Sequence, residues 1–121
     1  MKVVFVCLGN ICRSPMAEAV FRKMVHEEGL EDKITIDSAA TSTWEHGNPV
    51  HHGTRKKLEE HGISAKGLVS RTLDATVARL LEVAGVPRDI ADPWYTGDFD
   101  ATYRDVTLGC NALLEQLKKE L

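Results

Sequence analysis

The residues best suited to chemistry lie in one short stretch, in which Arg13 and Ser14 follow Cys7 with five residues between the cysteine and the arginine. A cysteine thiolate is a strong nucleophile, an arginine guanidinium can donate two hydrogen bonds to one phosphate, and a serine hydroxyl can donate to a nearby sulfur. Gly9 and Asn10 stand between them, and these residue types tolerate the positive φ of a tight loop. The pattern predicts a thiolate that attacks a phosphoryl group held in a loop.

Two elements must position this stretch. Lys2–Cys7 is a β-branched apolar run, typical of a buried parallel strand, and Pro15 suits the first turn of a helix that we expect to run to about His26. The loop therefore joins the carboxyl end of a strand to a helix N-terminus, where open α/β folds bind ligands and unpaired N–H groups attract anions. The same positive environment favours the thiolate form of Cys7.

A purely structural interpretation of the stretch is a buried cysteine at a strand end, a surface arginine and a serine that caps a helix. From average composition, this spacing arises in about 2 in 100 chains of this kind. The strand, loop and helix context lowers that frequency further, so we favour the functional interpretation.

The rest of the chain alternates strands and helices. Residues 33–38 predict a second strand, which makes a βαβ unit with a parallel sheet. Residues 54–60 predict a short charged helix, and from Phe99 an apolar stripe indicates a long C-terminal helix. The pattern of residues 72–83 fits either a helix or a strand. Residues 87–96 are expected to form a loop. We expect a single α/β domain over residues 1–121, with a small parallel sheet of about three strands flanked by helices. Its phosphate-binding loop follows strand one, and its third strand lies near residues 77–81.

Composition narrows the class of protein. The chain has 121 residues, of which 43% are hydrophobic and 27% charged, which is ordinary for a globular domain. The net charge of -3, with scattered Lys and Arg, argues against a nucleic-acid partner. The longest apolar run is too short to span a membrane. Three cysteines without a secretion signal suggest a reducing compartment, so we expect a cytoplasmic protein.

One long motif runs Val6-Cys-Leu-Gly-Asn-Ile-Cys-Arg-Ser-Pro-Met-Ala-Glu18. Later, in order, come Asp37-Ser38-Ala39, Trp44, Gly47, His61-Gly62-Ile63 and Asp92-Pro93-Trp94-Tyr95. Together these residues resemble the signature and the landmarks of the low-molecular-weight protein tyrosine phosphatases. The resemblance implies hydrolysis of phosphotyrosine in proteins, and of small aryl phosphates, through a cysteinyl-phosphate intermediate. It implies a tyrosine-phosphorylated protein as the partner and no cofactor.

The resemblance also implies roles for the matched residues. Cys7 is the expected nucleophile, Arg13 the phosphate clamp and Asp92 the general acid, and a carboxylic acid can supply the proton that a leaving phenolate needs. Ser38 supports the loop. The expected substrate-binding and phosphate-binding residues are Leu8, Gly9, Asn10, Ile11, Cys12, Ser14, Trp44, Trp94 and Tyr95, with the aromatic side chains beside the phosphotyrosine ring. An isolated Asp-Pro pair would otherwise indicate a turn, and Trp44 an ordinary half-buried loop aromatic.

The resemblance fails in the middle of the chain. After residue 73 the family normally continues with acidic residues, an inner strand and another helix, whereas residues 75–82 resemble the family's last strand. A few dozen residues are missing from the pattern. Either part of a longer protein is lacking or this is a natural or engineered deletion. A smaller core and an unpaired sheet edge predict reduced stability and a weak homodimer. Smaller departures are Ala40, where the family often has Gly, and Trp94, where it often has Tyr.

Two other functions fit parts of the sequence. An arsenate reductase on the same fold would relay a disulfide through cysteines beyond the loop, and only Cys110 is available. A catalytically impaired phosphate-binding or interaction protein would follow if the central gap disrupts the sheet. The histidines also invite a metal site, but no matching Cys or carboxylate spacing accompanies them, so we expect none. They are His26, His46, His51, His52 and His61.

Overall fold

The described part of the chain begins with the predicted β–α–β unit and continues with helices. A computed structural model describes residues 1–42, 44–70, 90 and 92–121. Its elements are β1 (Lys2–Cys7), α1 (Arg13–Glu27), β2 (Thr35–Ala40), α2 (His52–Glu60), α3 (Pro93–Thr96) and α4 (Phe99–Lys118). None of the helices in this part of the chain combines the length and the apolar character needed to cross a membrane.

The sheet places the end of β1 beside the end of β2. The two strands are parallel, in a register that runs from Lys2 opposite Thr35 to Cys7 opposite Ala40. The predicted parallel pair is confirmed, although β2 begins and ends two residues later than the predicted 33–38. Within the described residues the sheet has two strands. The predicted third strand near residues 77–81, and the ambiguous segment 72–83, lie outside the described residues.

Helix α1 carries most of the core. Its apolar side chains Met16, Val20 and Phe21 are almost fully buried, and the Phe21 ring meets the edge of Phe5 on β1 at a centroid distance of 5.5 Å. The helical spacing of these residues places them on one face, which packs against the sheet and α4. The predicted helix to about His26 is confirmed, since α1 ends one residue later.

The C-terminal helix is confirmed from its predicted start at Phe99. Its buried stripe includes Val106, Leu114 and Cys110. The Cys110 thiol lies 3.8 Å from the carbonyl oxygen of Ala17, to which it can donate, and burial raises the pKa of this thiol. Cys110 is therefore a buried packing residue.

One prediction was wrong in part. Residues 87–96 were expected to be a loop, yet Pro93–Thr96 form the one-turn helix α3. The turn forms because Asp92 caps it, with Oδ1 accepting from the N–H of Trp94 at 3.0 Å, and because proline suits the first helical position. Residues 87–89 and 91 lie outside the described residues.

Helix α2 packs against the start of α4 through a glycine. An ideal Cβ at Gly53 would lie 2.3 Å from the ring of Phe99, so a side chain at this position has no space. Gly53 also donates its N–H to His51 Nδ1, which caps α2 and explains why the helix begins two residues before the predicted 54–60.

We expect Gly53→Ala to lower the free energy of unfolding by about 1–3 kcal/mol, because the new methyl group must displace the Phe99 ring. Urea denaturation measures this. In a Phe99→Ala background the ring is gone, and the same change should become neutral or stabilising, because alanine has the higher helix propensity. An equal loss in both backgrounds would contradict the packing argument.

Candidate active site

The loop after β1 wraps around the sulfur of Cys7. Asn10 adopts a left-handed conformation with φ of 56°, whereas Gly9, which was also expected to tolerate positive φ, does not use it. The turn brings the N–H of Asn10 to 3.2 Å from Cys7 Sγ, and Ser14 Oγ lies 3.1 Å from the same sulfur. The two donor groups and the N-terminus of α1 therefore surround a potential thiolate.

A polar network supports this conformation. The buried Asn10 side chain donates through Nδ2 to Ser14 Oγ at 2.7 Å and to Ser38 Oγ at 2.9 Å. Ser38 lies on β2, opposite Phe5 of β1 in the sheet register. The structure thus brings together Asn10 and Ser14, which the resemblance placed among the binding residues, and Ser38, which it expected to support the loop. The sheet itself fixes the position of Ser38.

Four backbone carbonyl groups of the loop accept hydrogen bonds from distant segments. The donors to Leu8, Gly9, Ile11 and Cys12 are respectively Ser42 Oγ at 2.9 Å, Ser70 Oγ at 2.8 Å, the His51 N–H at 2.8 Å and Thr54 Oγ1 at 3.3 Å. Sequence analysis missed all four. Ser and Thr are common loop residues, and nothing in their spacing shows which carbonyl group they contact.

Arg13 and Asp92 meet although 79 residues separate them. Arg13 donates through one nitrogen to Asp92 Oδ2 at 3.3 Å and through the other to the Ile90 carbonyl oxygen at 3.2 Å. Their side chains keep 25% and 22% of their surface exposed, so both remain accessible from the cleft. The predicted phosphate clamp and the predicted general acid therefore lie side by side.

The loop forms the floor of an open cleft of about 500 Å³. Its lining comprises Cys7, Leu8, Gly9, Asn10, Ile11, Cys12, Arg13, Trp44, Glu45, Asp92, Trp94 and Tyr95. The three predicted aromatic residues are exposed, with Trp44 at 79% rather than half-buried. Glu45 was not predicted, and it is the second carboxylate at the cleft. The arrangement combines anion donors at the bottom with flat apolar surfaces at the rim.

Cys12 differs from Cys7 although both line the cleft. Its side chain is buried, and burial, assisted by the nearby Asp92 and Cys7, raises the pKa of Cys12 to about 12. Cys12 therefore stays a neutral thiol at physiological pH, and it occupies the N-cap position of α1. Of the two loop thiols, Cys7 has the environment of a nucleophile.

His51 links the loop to the aromatic rim. Its ring packs against Phe99 at 5.2 Å and meets the edge of Trp94 at 5.5 Å. Burial and then the neighbouring His52 lower its pKa, an effect that Asp92 partly opposes. The neutral ring keeps Nδ1 free to accept from Gly53, whereas sequence analysis had considered His51 only in connection with a metal site.

The histidines do not form a metal centre in the part of the chain that the structure describes. His51 stacks on His52 at 4.3 Å, and His61 stacks on Tyr103 at 3.9 Å. Among the described residues, no three His, Cys, Asp or Glu side chains are grouped to hold an ion.

Comparison with known proteins agrees with the fold. The model of the family "Low molecular weight phosphotyrosine protein phosphatase" matches residues 2–83. Low molecular weight protein-tyrosine-phosphatase YfkJ of Bacillus subtilis is 38% identical over 152 residues, which cover 99% of this chain and 97% of YfkJ. Low molecular weight protein-tyrosine-phosphatase PtpA of Staphylococcus aureus is 34% identical, covering 98% and 94% of the two chains. This chain therefore belongs to the low-molecular-weight phosphotyrosine protein phosphatase family.

Solved structures give the same result. The crystal structure of YfkJ superposes with a TM-score of 0.93 at 38% identity, over 99% of this chain and 96% of that one. The phosphatase SP-PTP of Streptococcus pyogenes gives a TM-score of 0.78, also at 38% identity, over 96% and 92%. The alignment with YfkJ spans 152 positions and this chain has 121 residues, so at least 31 aligned positions have no counterpart here. The prediction that a few dozen residues of the family pattern are missing is thus confirmed.

The lowered pKa of His51 predicts a pH dependence of stability. The unfolded state takes up a proton near pH 6.5, whereas folded His51 resists protonation, so stability declines as pH falls below 6.5. Asparagine can also cap α2 but does not titrate. We expect urea midpoints at pH 7.5 and 5.5 to differ less in His51→Asn than in the wild type. An equal pH difference in both proteins would contradict this assignment.

Proposed function

We propose that this protein hydrolyses phosphotyrosine in other proteins through a cysteinyl-phosphate intermediate on Cys7. The carrying observation is the position of Cys7 Sγ, which accepts from the Asn10 N–H at 3.2 Å and lies 3.1 Å from Ser14 Oγ on the floor of a cleft with aromatic walls. Hydrogen bonds to the charged form stabilise a thiolate. Family membership supports the same reaction.

In the first step, the Cys7 thiolate attacks phosphorus and forms an S–P bond while the bond from phosphorus to the tyrosine oxygen breaks. Arg13 and the N-terminus of α1 stabilise the phosphoryl oxygens. Asp92, in its protonated form, donates the proton that the leaving phenolate takes. An incoming phosphate competes with Asp92 for Arg13, which frees the carboxyl group for this role.

In the second step, the Asp92 carboxylate removes a proton from water, and the water oxygen attacks the cysteinyl phosphate. The S–P bond breaks, the thiolate re-forms and inorganic phosphate leaves. Asp92 is suited to both steps because capping of α3 holds one of its oxygens while the other lies beside Arg13.

The rim of the cleft favours an aromatic phosphoester. Trp44, Trp94 and Tyr95 present 79%, 55% and 79% of their surface to solvent. Packing of an exposed aromatic surface against another ring is energetically favourable. A phosphotyrosine side chain has such a ring and is long enough to reach the floor of a cleft. A phosphoserine side chain has no ring and is shorter. The substrates are therefore tyrosine-phosphorylated proteins.

The alternative functions are less well supported. A disulfide relay of the arsenate-reductase kind would need a mobile second thiol, but Cys110 is fully buried and lies against the Ala17 carbonyl group. A catalytically impaired binding protein is not favoured either, because Cys7, Arg13 and Asp92 line one cleft despite the shorter chain. Three unpaired cysteines suit a reducing compartment, and we place the enzyme in the cytoplasm.

Replacement of the nucleophile tests the covalent step. We expect Cys7→Ser to lower turnover of a phosphotyrosine peptide by roughly 10⁴-fold or more, because a serine hydroxyl is not ionised without a base. The variant should still bind vanadate by calorimetry, since the loop donors remain. Cys110→Ala, which also removes one thiol, should keep its turnover. Near-normal activity in Cys7→Ser would refute the mechanism.

Replacement of the acid tests proton donation. Asparagine can still cap α3, so Asp92→Asn should fold, while kcat for phenyl phosphate should fall by roughly 10²–10⁴-fold. The loss should be smaller for p-nitrophenyl phosphate, whose leaving group needs no proton. Asp32→Asn removes an exposed carboxylate near the opposite end of β2, and it should change neither rate. Equal losses on both substrates in Asp92→Asn would remove Asp92 from this role.

A further inference from the structure

The network below the loop continues beyond Ser38 to the surface of the protein. Ser38 Oγ lies 2.6 Å from Oε1 of Glu18, a carboxylate on α1 that is only 2% exposed. The other oxygen of Glu18 accepts from Arg22 at 2.7 Å. Arg22 also donates to the Ile36 carbonyl oxygen at 3.0 Å, and its side chain is 55% exposed. A continuous chain of hydrogen bonds therefore joins Cys7 to Arg22.

The chemistry of each group determines which partner donates and which accepts in every hydrogen bond of this network. A carboxylate can only accept hydrogen bonds, so Ser38 must donate its single hydroxyl proton to Glu18. The oxygen of Ser38 is then limited to accepting a hydrogen bond from Asn10. Asn10 must therefore present its Nδ2 amide nitrogen, because its carbonyl oxygen would face the lone pairs of Ser38.

The same direction of donation continues through Ser14 to the sulfur of Cys7. Asn10 Nδ2 also lies 2.7 Å from Ser14 Oγ and donates its second proton there. The Ser14 oxygen is thus used as an acceptor, and its own proton is directed to Cys7 Sγ at 3.1 Å. A donor that faces a thiolate stabilises it, whereas a lone pair in the same place repels it.

We propose that Glu18, oriented by Arg22, is a positioning residue that makes Ser14 a hydrogen-bond donor to the Cys7 thiolate. The inference rests on the proposed function only in that Cys7 is the nucleophile. In the described part of the chain, hydrogen bonds link Glu18 to Cys7 through Ser38, Asn10 and Ser14. The effect of Glu18 is to select one of the two directions in which these groups can donate.

When Arg22 is present, an amide at position 18 would reverse the direction in which these hydrogen bonds donate. In Glu18→Gln, the guanidinium group of Arg22 holds the Gln oxygen, so the Gln nitrogen faces Ser38 and donates to it. Ser38 then donates to Asn10, which turns its carbonyl oxygen inward and accepts from Ser14 as well. Ser14 is left with lone pairs toward Cys7. Removing Arg22 as well frees the Gln oxygen to face Ser38, and the original direction returns.

The test measures the pH at which Cys7 is half reactive toward iodoacetamide, with alkylation at Cys7 and Cys12 resolved by tandem mass spectrometry. This readout needs no turnover, so it is independent of whether the protein hydrolyses phosphotyrosine. The other titratable or charged groups that line the cleft are Arg13, Cys12, Glu45 and Asp92, together with Tyr95. All are kept in every variant, so the midpoint reports the change in the network.

We expect the midpoint to rise by roughly one pH unit in Glu18→Gln, the effect of losing a charge-assisted hydrogen bond. It should return toward the wild-type value in Glu18→Gln with Arg22→Met. Loss of one negative charge would by itself favour the thiolate and lower the midpoint. A rise in the midpoint therefore distinguishes the proposed effect from a simple loss of charge. Glu27→Gln, an exposed change on the same helix, measures that background and should not raise the midpoint.

An unchanged or lowered midpoint in folded Glu18→Gln would overturn the proposal, as would a rise that persists in the double variant. Far-ultraviolet circular dichroism checks that each variant is folded. If Glu18→Gln does not fold, Ser38→Ala decides the question, because it disconnects Asn10 from Glu18 without adding charge or volume. The proposal then requires a raised midpoint, and an unchanged one would overturn it.

Discussion

The constraint on which the site depends is that a tight loop must satisfy its own backbone carbonyl groups. Four carbonyl groups between β1 and α1 accept hydrogen bonds from three separate segments, at residue 42, at residues 51 and 54 at the start of α2, and at residue 70. Buried backbone groups without partners cost free energy, so these contacts hold the loop in one conformation. The Asn10 N–H is left to face the Cys7 sulfur, in the way that a nest of N–H groups binds an anion.

The three cysteines differ in chemistry because their surroundings differ. Cys7 stands at the end of a strand, partly exposed, beside two donors. Cys12 begins α1 and is buried, which raises its pKa to about 12, and Cys110 packs against the middle of α1 with its pKa also raised by burial. Among the three thiols, Cys7 is the least buried, and Ser14 Oγ and the Asn10 N–H lie beside its sulfur, as the proposed nucleophile requires.

The site also connects parts of the chain that are far apart in the sequence. The loop, β2 and α2 lie within residues 1–60, and Asp92 with α3 lies beyond residue 90, yet a guanidinium nitrogen of Arg13 and Oδ2 of Asp92 are 3.3 Å apart. The superposition on YfkJ, with a TM-score of 0.93, shows that the family fold accommodates the shorter chain. Reduced stability and weak dimerisation remain predictions.

The sequence by itself determined the βαβ unit, the long C-terminal helix and the loop with Cys7, Arg13 and Ser14. These features are local: hydrophobic periodicity defines each element, and a strand followed by a helix brings nearby residues together. Only the tertiary structure decided that Asp92 caps a helical turn beside Arg13, that His51 and Ser70 hold the loop, and that Glu18 is buried beneath it. Such contacts join residues far apart in the chain, and they depend on how the elements pack, which no local spacing encodes.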